Sequence, residues 1–140
     1  AECDRAGNVN VSKFNGRVAG VGGFMNITQT ARKVVFAGTF TAGGLEVGFR
    51  DGGLRIDREG SFDKFVESVE HVTFSGRYAR EKGQQVMYIT ERAVFELTGS
   101  GLKLIEIAPG IDLERDILGH MAFRPELAPE LTIMPLSVFA

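Results

Sequence analysis

The residues with chemistry to offer are few and unevenly spread. In "RVAGVGGFMNITQTARKVVFAGTFTAGG", from Arg17 to Gly44, glycine stands at positions 20, 22 and 23, and Asn26, Thr28, Gln29 and Thr30 follow an apolar pair. Glycine costs roughly 0.5–1 kcal/mol against alanine wherever regular structure must be held. So dense a cluster marks either a sharp bend or a backbone that something must approach closely. It is not a dinucleotide fingerprint, because G-x-G-x-x-G is missing and no acidic residue follows at the required distance after a second strand. The lysine of a phosphate-binding loop is missing as well. From the residues alone two readings stay open. One is a tight strand-to-helix connection, the commoner use of such glycines. The other is a loop whose N–H groups face a bound oxyanion or thioester carbonyl.

Other reactive side chains point nowhere in particular. His71 and His120 have no serine or cysteine elbow beside them, and G-x-S-x-G does not occur, so a serine hydrolase has no support. Cys3 and two scattered histidines do not make a zinc site, and no metal is expected. Glu67, Glu70 and Glu81 read as solvated positions. Glu91 differs: "YITERAVF" sets it with Arg92 between two apolar strands, which suits a buried or capping salt bridge better than catalysis.

These groups must be positioned by a strand-rich α/β chain. A turn at Asp4–Asn8 precedes an expected strand from Val9 to Phe14. After the glycines, Asn26 to Ala31 suits a short helix capped by Asn26 or Thr28. The apolar run Val34–Ala37 predicts a strand buried on both faces. "GLEVGFRDGGLRIDREG" alternates about Asp51–Gly52–Gly53 as a hairpin does. Phe62, Phe65, Val66 and Val69 have helical spacing after Ser61, whereas "EHVTF" is β-branched, so this stretch reads either way. Strands follow near Val86–Thr90, Ala93–Leu97 and Leu102–Ile107, then a helix of about two to three turns with Asp112 as its N-cap. The Pro-containing tail from Pro125 is expected to wrap a surface without forming an element.

With 140 residues, 44% of them hydrophobic and 24% charged, the chain is one domain's worth or a piece of a larger one. A net charge of -2 provides no basic field for nucleic acid or an anionic membrane. No apolar run nears the roughly 20 residues that span a bilayer, and "AECDRAGNVNVSKF" lacks the pattern of a signal peptide. A single cysteine excludes an internal disulfide and fits a reducing compartment, with the cytoplasm as the expectation.

Read in order, "GNVNVSKFNGRVAGVGGFMNIT", "KVVFAGTFTAGG", "QVMYITERAVFEL", "GLKLIEIAPGIDLERDIL" and "MAFRP" closely resemble the C-terminal part of the family I coenzyme A transferases, especially the short-chain acetate or propionate type. The resemblance covers nearly the whole chain, with Leu45–Gly83 less distinctive. It implies an α/β fold with an open, strand-rich sheet and few helices, of the CoA-transferase second-domain type and incomplete. Residues 1–140 would be the C-terminal part of that second (β-type) domain, and 45–83 a hairpin/helix insertion.

In such enzymes a glutamate attacks an acyl-CoA thioester and becomes a glutamyl-CoA thioester, from which CoA passes to an acceptor carboxylate. The resemblance makes Gly22 the backbone donor to the oxyanion. It sets Gly20, Val21, Gly23, Phe24 and Asn26 against the thioester end of CoA. Coenzyme A thioester is then a substrate, acetyl- or propionyl-CoA being the expected type, with a short-chain carboxylate as acceptor and no tightly bound cofactor. The family's nucleophilic Glu-x-Gly segment is missing. Glu2 precedes Cys-Asp, Glu59–Gly60 follows the hairpin, and Glu81–Lys82–Gly83 sits in a charged stretch. The chain is therefore expected to be a C-terminal fragment, inactive alone, that partners the N-terminal portion of the same enzyme and self-associates as a homo-oligomer. An acyl-CoA hydrolase of the same fold, or a non-catalytic ligand-binding or assembly domain, are the alternatives.

Overall fold

Three segments, "QVMYI", "AVFELT" and "GLKLIEI", interleave residues for two different apolar layers, and a sheet covered on both faces results. The computed structural model describes residues 1–18, 20 and 23–139, with Asn26 by its backbone alone. In chain order the strands are β1 (Glu2–Cys3), β2 (Val9–Asn10), β3 (Lys13–Phe14) and β4 (Arg17–Val18), followed by helix α1 (Phe24–Thr30). Next come β5 (Lys33–Ala37), β6 (Thr41–Ala42), β7 (Glu46–Arg50), β8 (Gly53–Arg58) and β9 (Phe62–Asp63), then helix α2 (Gly76–Glu81). The rest comprises β10 (Gln85–Ile89), β11 (Ala93–Thr98), β12 (Gly101–Ile107), a π-type turn (Leu113–Ile117), a 3-10 turn (Leu118–His120), β13 (Glu126–Ile133) and a final 3-10 turn (Leu136–Phe139).

The main sheet runs β13-β12-β11-β10-β5. Its central pairs are antiparallel and its outer pairs, β12 with β13 and β10 with β5, are parallel. On β10, Val86 and Tyr88 enter the larger core with Phe40, Phe65, Phe74, Phe95, Leu102 and Leu104, while Met87 and Ile89 face a smaller one. That second layer is built by Leu54 of the β7–β8 hairpin, Val94, Ala108 and Met134, and is extended by Phe49 stacked on Phe139 at 4.7 Å. Period-2 alternation across a sheet covered on both faces places the side chains of these strands in two apolar layers.

Several expectations are corrected. The strand expected from Val9 to Phe14 is broken, because the Asn10 side-chain oxygen accepts the amides of Ser12 and Lys13, both at 3.0 Å, and gives the backbone a local turn in place of a ladder. Helix α1 begins at Phe24 with Gly23 as its N-cap, so neither Asn26 nor Thr28 caps it; the Thr28 hydroxyl donates within the helix to the Phe24 carbonyl at 2.8 Å. Strand β5 is not buried on both faces: it is the outermost strand among the described residues, and Val35 is 47% exposed.

No helix forms over residues 61–69, where Phe62–Asp63 pairs with Thr41–Ala42 and Phe65 bridges Cys3 and Met121. The helix lies later, in α2, where the Ser75 hydroxyl accepts the Tyr78 amide at 3.2 Å. The expected helix after Asp112 is a π-type turn running into a 3-10 turn, with Asp112 capping it as anticipated by accepting the Arg115 amide at 2.8 Å. The tail does form an element. β13 pairs with β12, and Pro129, which has no N–H to give, falls in the register break between Leu127 and Thr132.

The N-terminal segment that leads to the glycines is tied to this sheet. Asp4, buried, accepts the amides of Ala6 and Asn8 at 3.1 Å each, and the Arg5 carbonyl accepts the Leu102 amide at 2.9 Å. Gly101 holds a φ of +111°, and a Cβ there would stand 2.3 Å from that same Arg5 oxygen. Gly101→Ala is therefore expected to destabilise the protein by more than about 1 kcal/mol. Urea unfolding monitored by circular dichroism measures it, and an unchanged midpoint would show that the Arg5 contact can yield.

Candidate functional site

Asn15–Gly16 is the Asn-Gly signal of a two-residue hairpin turn, which the sequence reading passed over. Both residues have positive φ, 51° and 76°, the mirror-image turn whose twist suits antiparallel strands. It joins β3 to β4 through the pairs Lys13↔Val18 and Phe14↔Arg17. The chain then passes to Gly20, Gly23 and α1.

Gly20 is exposed, and a Cβ on it would meet nothing within 4 Å; Gly23 is exposed too, and its Cβ would only touch Ile27 at 3.5 Å. Gly23 has a φ of -84°. What these glycines provide is open access to the backbone. Val21 and Gly22, the latter the expected oxyanion donor, lie outside the described residues, and Asn26 is placed in α1 by its backbone only. Phe24 turns inward, its ring 5.8 Å from that of Phe36, which meets Phe74 and Tyr88 in turn. Around the loop the surface is apolar and open, with Val18 and Ile27 81% and 69% exposed. Beside α1 lies a groove of about 350 Å³ between Met25, Thr28 and Gln29 on one side and Val72, Phe74 and Tyr78 on the other.

The charged groups gather at a different place, the end of the sheet where β5 and β10 finish. Arg92, fully buried, donates from Nε to Glu91 at 2.8 Å, from Nη1 and Nη2 to the two oxygens of Glu59 at 2.7 and 2.9 Å, and again from Nη1 to the Asp116 carbonyl at 2.9 Å. Its guanidinium carbon lies 4.9 Å from the Phe40 ring centre, within cation–π range. Glu91 also accepts the Phe40 amide at 2.8 Å, and the Thr41 hydroxyl donates to Glu59. His120 stands between Glu59 at 3.4 Å and Asp63 at 3.2 Å.

Glu91–Arg92 is thus the buried, capping ion pair that "YITERAVF" suggested. Sequence reasoning missed Glu59, which is 33 residues away and has no local signal to mark it. Burial opposes the ionisation of Glu59, but the hydrogen bonds from Arg92 and Thr41, and the charge of Arg92, outweigh it and bring its pKa from 4.5 down to about 2. A carboxylate so fully committed and so weakly basic is a poor nucleophile, and Cys3 is no better, since burial pushes its thiol well up. This cluster is scaffold for the sheet end.

An acetate CoA-transferase of Escherichia coli strain K12, YdiF, is 52% identical over 139 residues, 99% of this chain and 26% of that enzyme. A caffeate CoA-transferase of Acetobacterium woodii is 50% identical over 145 residues, 100% of this chain and 28% of that enzyme. The crystal structure of the acyl-CoA transferase YdiF from E. coli O157:H7 matches with a TM-score of 0.97 at 51% identity, over 100% of this chain and 27% of that one. The decarboxylase AibA/AibB, at a TM-score of 0.66 and 20% identity over 96% of this chain and 48% of that one, shares the fold alone. No family model matches the chain. The chain is similar over essentially its whole length to coenzyme A transferases, and it spans about a quarter of the length of the curated relatives it matches. Among the described residues no helix is long and apolar enough to cross a membrane.

The Glu59 shift carries a sign. A carboxylate whose folded pKa is depressed contributes stability above its ordinary value of 4.5, and that contribution is lost as pH falls toward about 2. The unfolding free energy of the protein should therefore fall more steeply on acidification than that of Glu59→Gln, which starts less stable at neutral pH. Urea titrations from about pH 6 to about pH 2 test this, and parallel curves would mean that Glu59 is not held by Arg92.

Proposed function

We propose that this chain is the C-terminal part of the second domain of an acyl-CoA:carboxylate CoA-transferase. Residues 45–83, the β7–β8 hairpin through α2, form the insertion within it. The enzyme exchanges CoA between a short-chain acyl-CoA, of the acetyl or propionyl type, and a carboxylate through a glutamyl-CoA thioester. The observation that carries the reading is the identity of 50–52% along essentially the whole chain to two enzymes named as CoA-transferases. That a related acyl-CoA transferase was crystallised as a thioester complex with CoA supports a covalent route. A carboxylate nucleophile divides one difficult exchange into easier covalent steps, each passing through an oxyanion.

In this reading Gly22 donates its backbone N–H to the oxyanion, and Gly20, Val21, Gly23, Phe24 and Asn26 lie against the thioester end of CoA. The open space over Gly20 and the exposed backbone at Gly23 leave room for that approach. The groove beside α1 offers a path for the chain-like remainder of CoA. In this reading the nucleophilic glutamate lies in a segment outside this sequence, since no glutamate here stands in the context of the family's Glu-x-Gly segment; Glu59 and Glu91 are engaged by Arg92.

Two measurements test this. In the intact enzyme, Gly22→Val should lower kcat by about 10²-fold or more with the fold retained. Near-normal turnover would remove Gly22 from the site, and loss of folding would return the loop to a purely structural role. Incubated alone with acetyl- or propionyl-CoA, the present chain should form no covalent adduct by intact-mass spectrometry. A glutamyl-CoA adduct on Glu59, Glu81 or Glu91 would overturn the assignment of the nucleophile.

A further inference from the structure

The hairpin that delivers the chain to the glycines has little to hold it. β3 and β4 contribute two residues each, both residues of β4 are exposed, and Val18 packs on almost nothing. An isolated two-stranded hairpin is marginal at best in water. The turn itself is held by the side chain of Glu70. Glu70 reaches across 55 positions to the turn and accepts the Asn15 amide on Oε2 at 2.6 Å and the Gly16 amide on Oε1 at 2.7 Å.

With both residues in the left-handed region, their successive N–H groups converge on one side, and the carboxylate spans them. Bonds to an ionised acceptor are short and about twice as strong as neutral ones. Glu70 is itself fixed from behind. Its own amide donates to Glu2 Oε1 at 2.9 Å, an oxygen that also receives the Asn10 side-chain amide at 2.8 Å. The preceding Val69 amide donates to the buried Asp4 at 3.3 Å. Asn10 completes the circuit by donating to the Lys13 carbonyl at the start of β3.

We infer that Glu70 is a positioning residue for the CoA-transfer reaction: by clamping the Asn15–Gly16 turn it sets the direction from which β4 enters Gly20 and the loop that carries Gly22. The inference rests on the reading of that loop as the oxyanion donor. Glu70 touches no substrate in this role. It acts through the hairpin, so its removal should be felt in the transition state and little in the stability of a contact that lies on the surface.

The test is a kinetic cycle in the intact enzyme with acetyl-CoA as donor. Glu70→Gln keeps one acceptor but turns an N–H donor toward the second amide. It should lower kcat and kcat/KM together by about 10-fold, with the KM for acyl-CoA nearly unchanged, as expected when only transition-state stabilisation is lost. Glu70→Asp retains both oxygens and should recover part of the loss. Combined with Gly22→Val, Glu70→Gln should add almost nothing, because residues acting on one feature are not additive.

Wild-type kcat in Glu70→Gln while Gly22→Val is impaired would overturn the inference and leave the loop's role standing. A silent Gly22→Val would instead overturn the reading of the loop, and with it any action of Glu70 through Gly22. A fall in melting temperature matching the loss of activity, with no recovery in Glu70→Asp, would make Glu70 a structural residue only.

Discussion

Arg92 carries a permanent charge in a place that solvent does not reach, and much of this fold is arranged around satisfying it. Taking such an ion out of water costs several kcal/mol, repaid only when geometry is good and its hydrogen bonds are met. Here four bonds go to Glu59, Glu91 and the Asp116 carbonyl, with the Phe40 ring beside the guanidinium. The partners come from the end of the β7–β8 hairpin, the turn between β10 and β11, and the π-type turn after β12. Through Glu91 and Thr41 the same cluster also holds the segment that follows β5. A guanidinium is suited to this because its planar fork matches a carboxylate with two parallel bonds.

The opposite end of the chain's organisation is the hairpin and the glycine loop. In the hairpin both residues of β4 are exposed, and the Asn15–Gly16 turn is held by the carboxylate of Glu70. This division fits the proposed role in CoA transfer. On the proposed reading, a loop that presents its backbone to a thioester would keep its N–H groups out of a ladder, and a site that admits a large substrate would stay open. The rigid sheet supplies a platform, and the hairpin aims from it.

Fold and chemistry separate cleanly in the comparisons. A decarboxylase at 20% identity shares the architecture, so the architecture by itself names no reaction. What points to CoA transfer is identity at the level of side chains and their order along the chain, which the two CoA-transferases share at 50–52%.

Sequence alone determined the features that depend on neighbours a few residues apart. The strands β10, β11 and β12 were legible because alternation places their side chains in two layers, and the β7–β8 hairpin because Asp51–Gly52 can hold the positive φ its turn requires. The Asp112 cap, the Glu91–Arg92 pair and the ordered motifs of the family were equally local. Tertiary structure decided the rest. The spacing of Phe62 to Val69 is helical, yet pairing with distant strands extends the segment instead. The tail after Pro125 becomes a strand because β12 offers it an open edge. Glu70 reads as an ordinary solvated acid, and Glu59 as no more than a Glu-Gly pair after a hairpin, since the groups that engage them, the Asn15–Gly16 amides and Arg92, lie about 55 and 33 residues away. Periodicity and turn chemistry act over one or two turns of chain, whereas the partner of a charge is chosen by whatever packing brings within 3 Å of it.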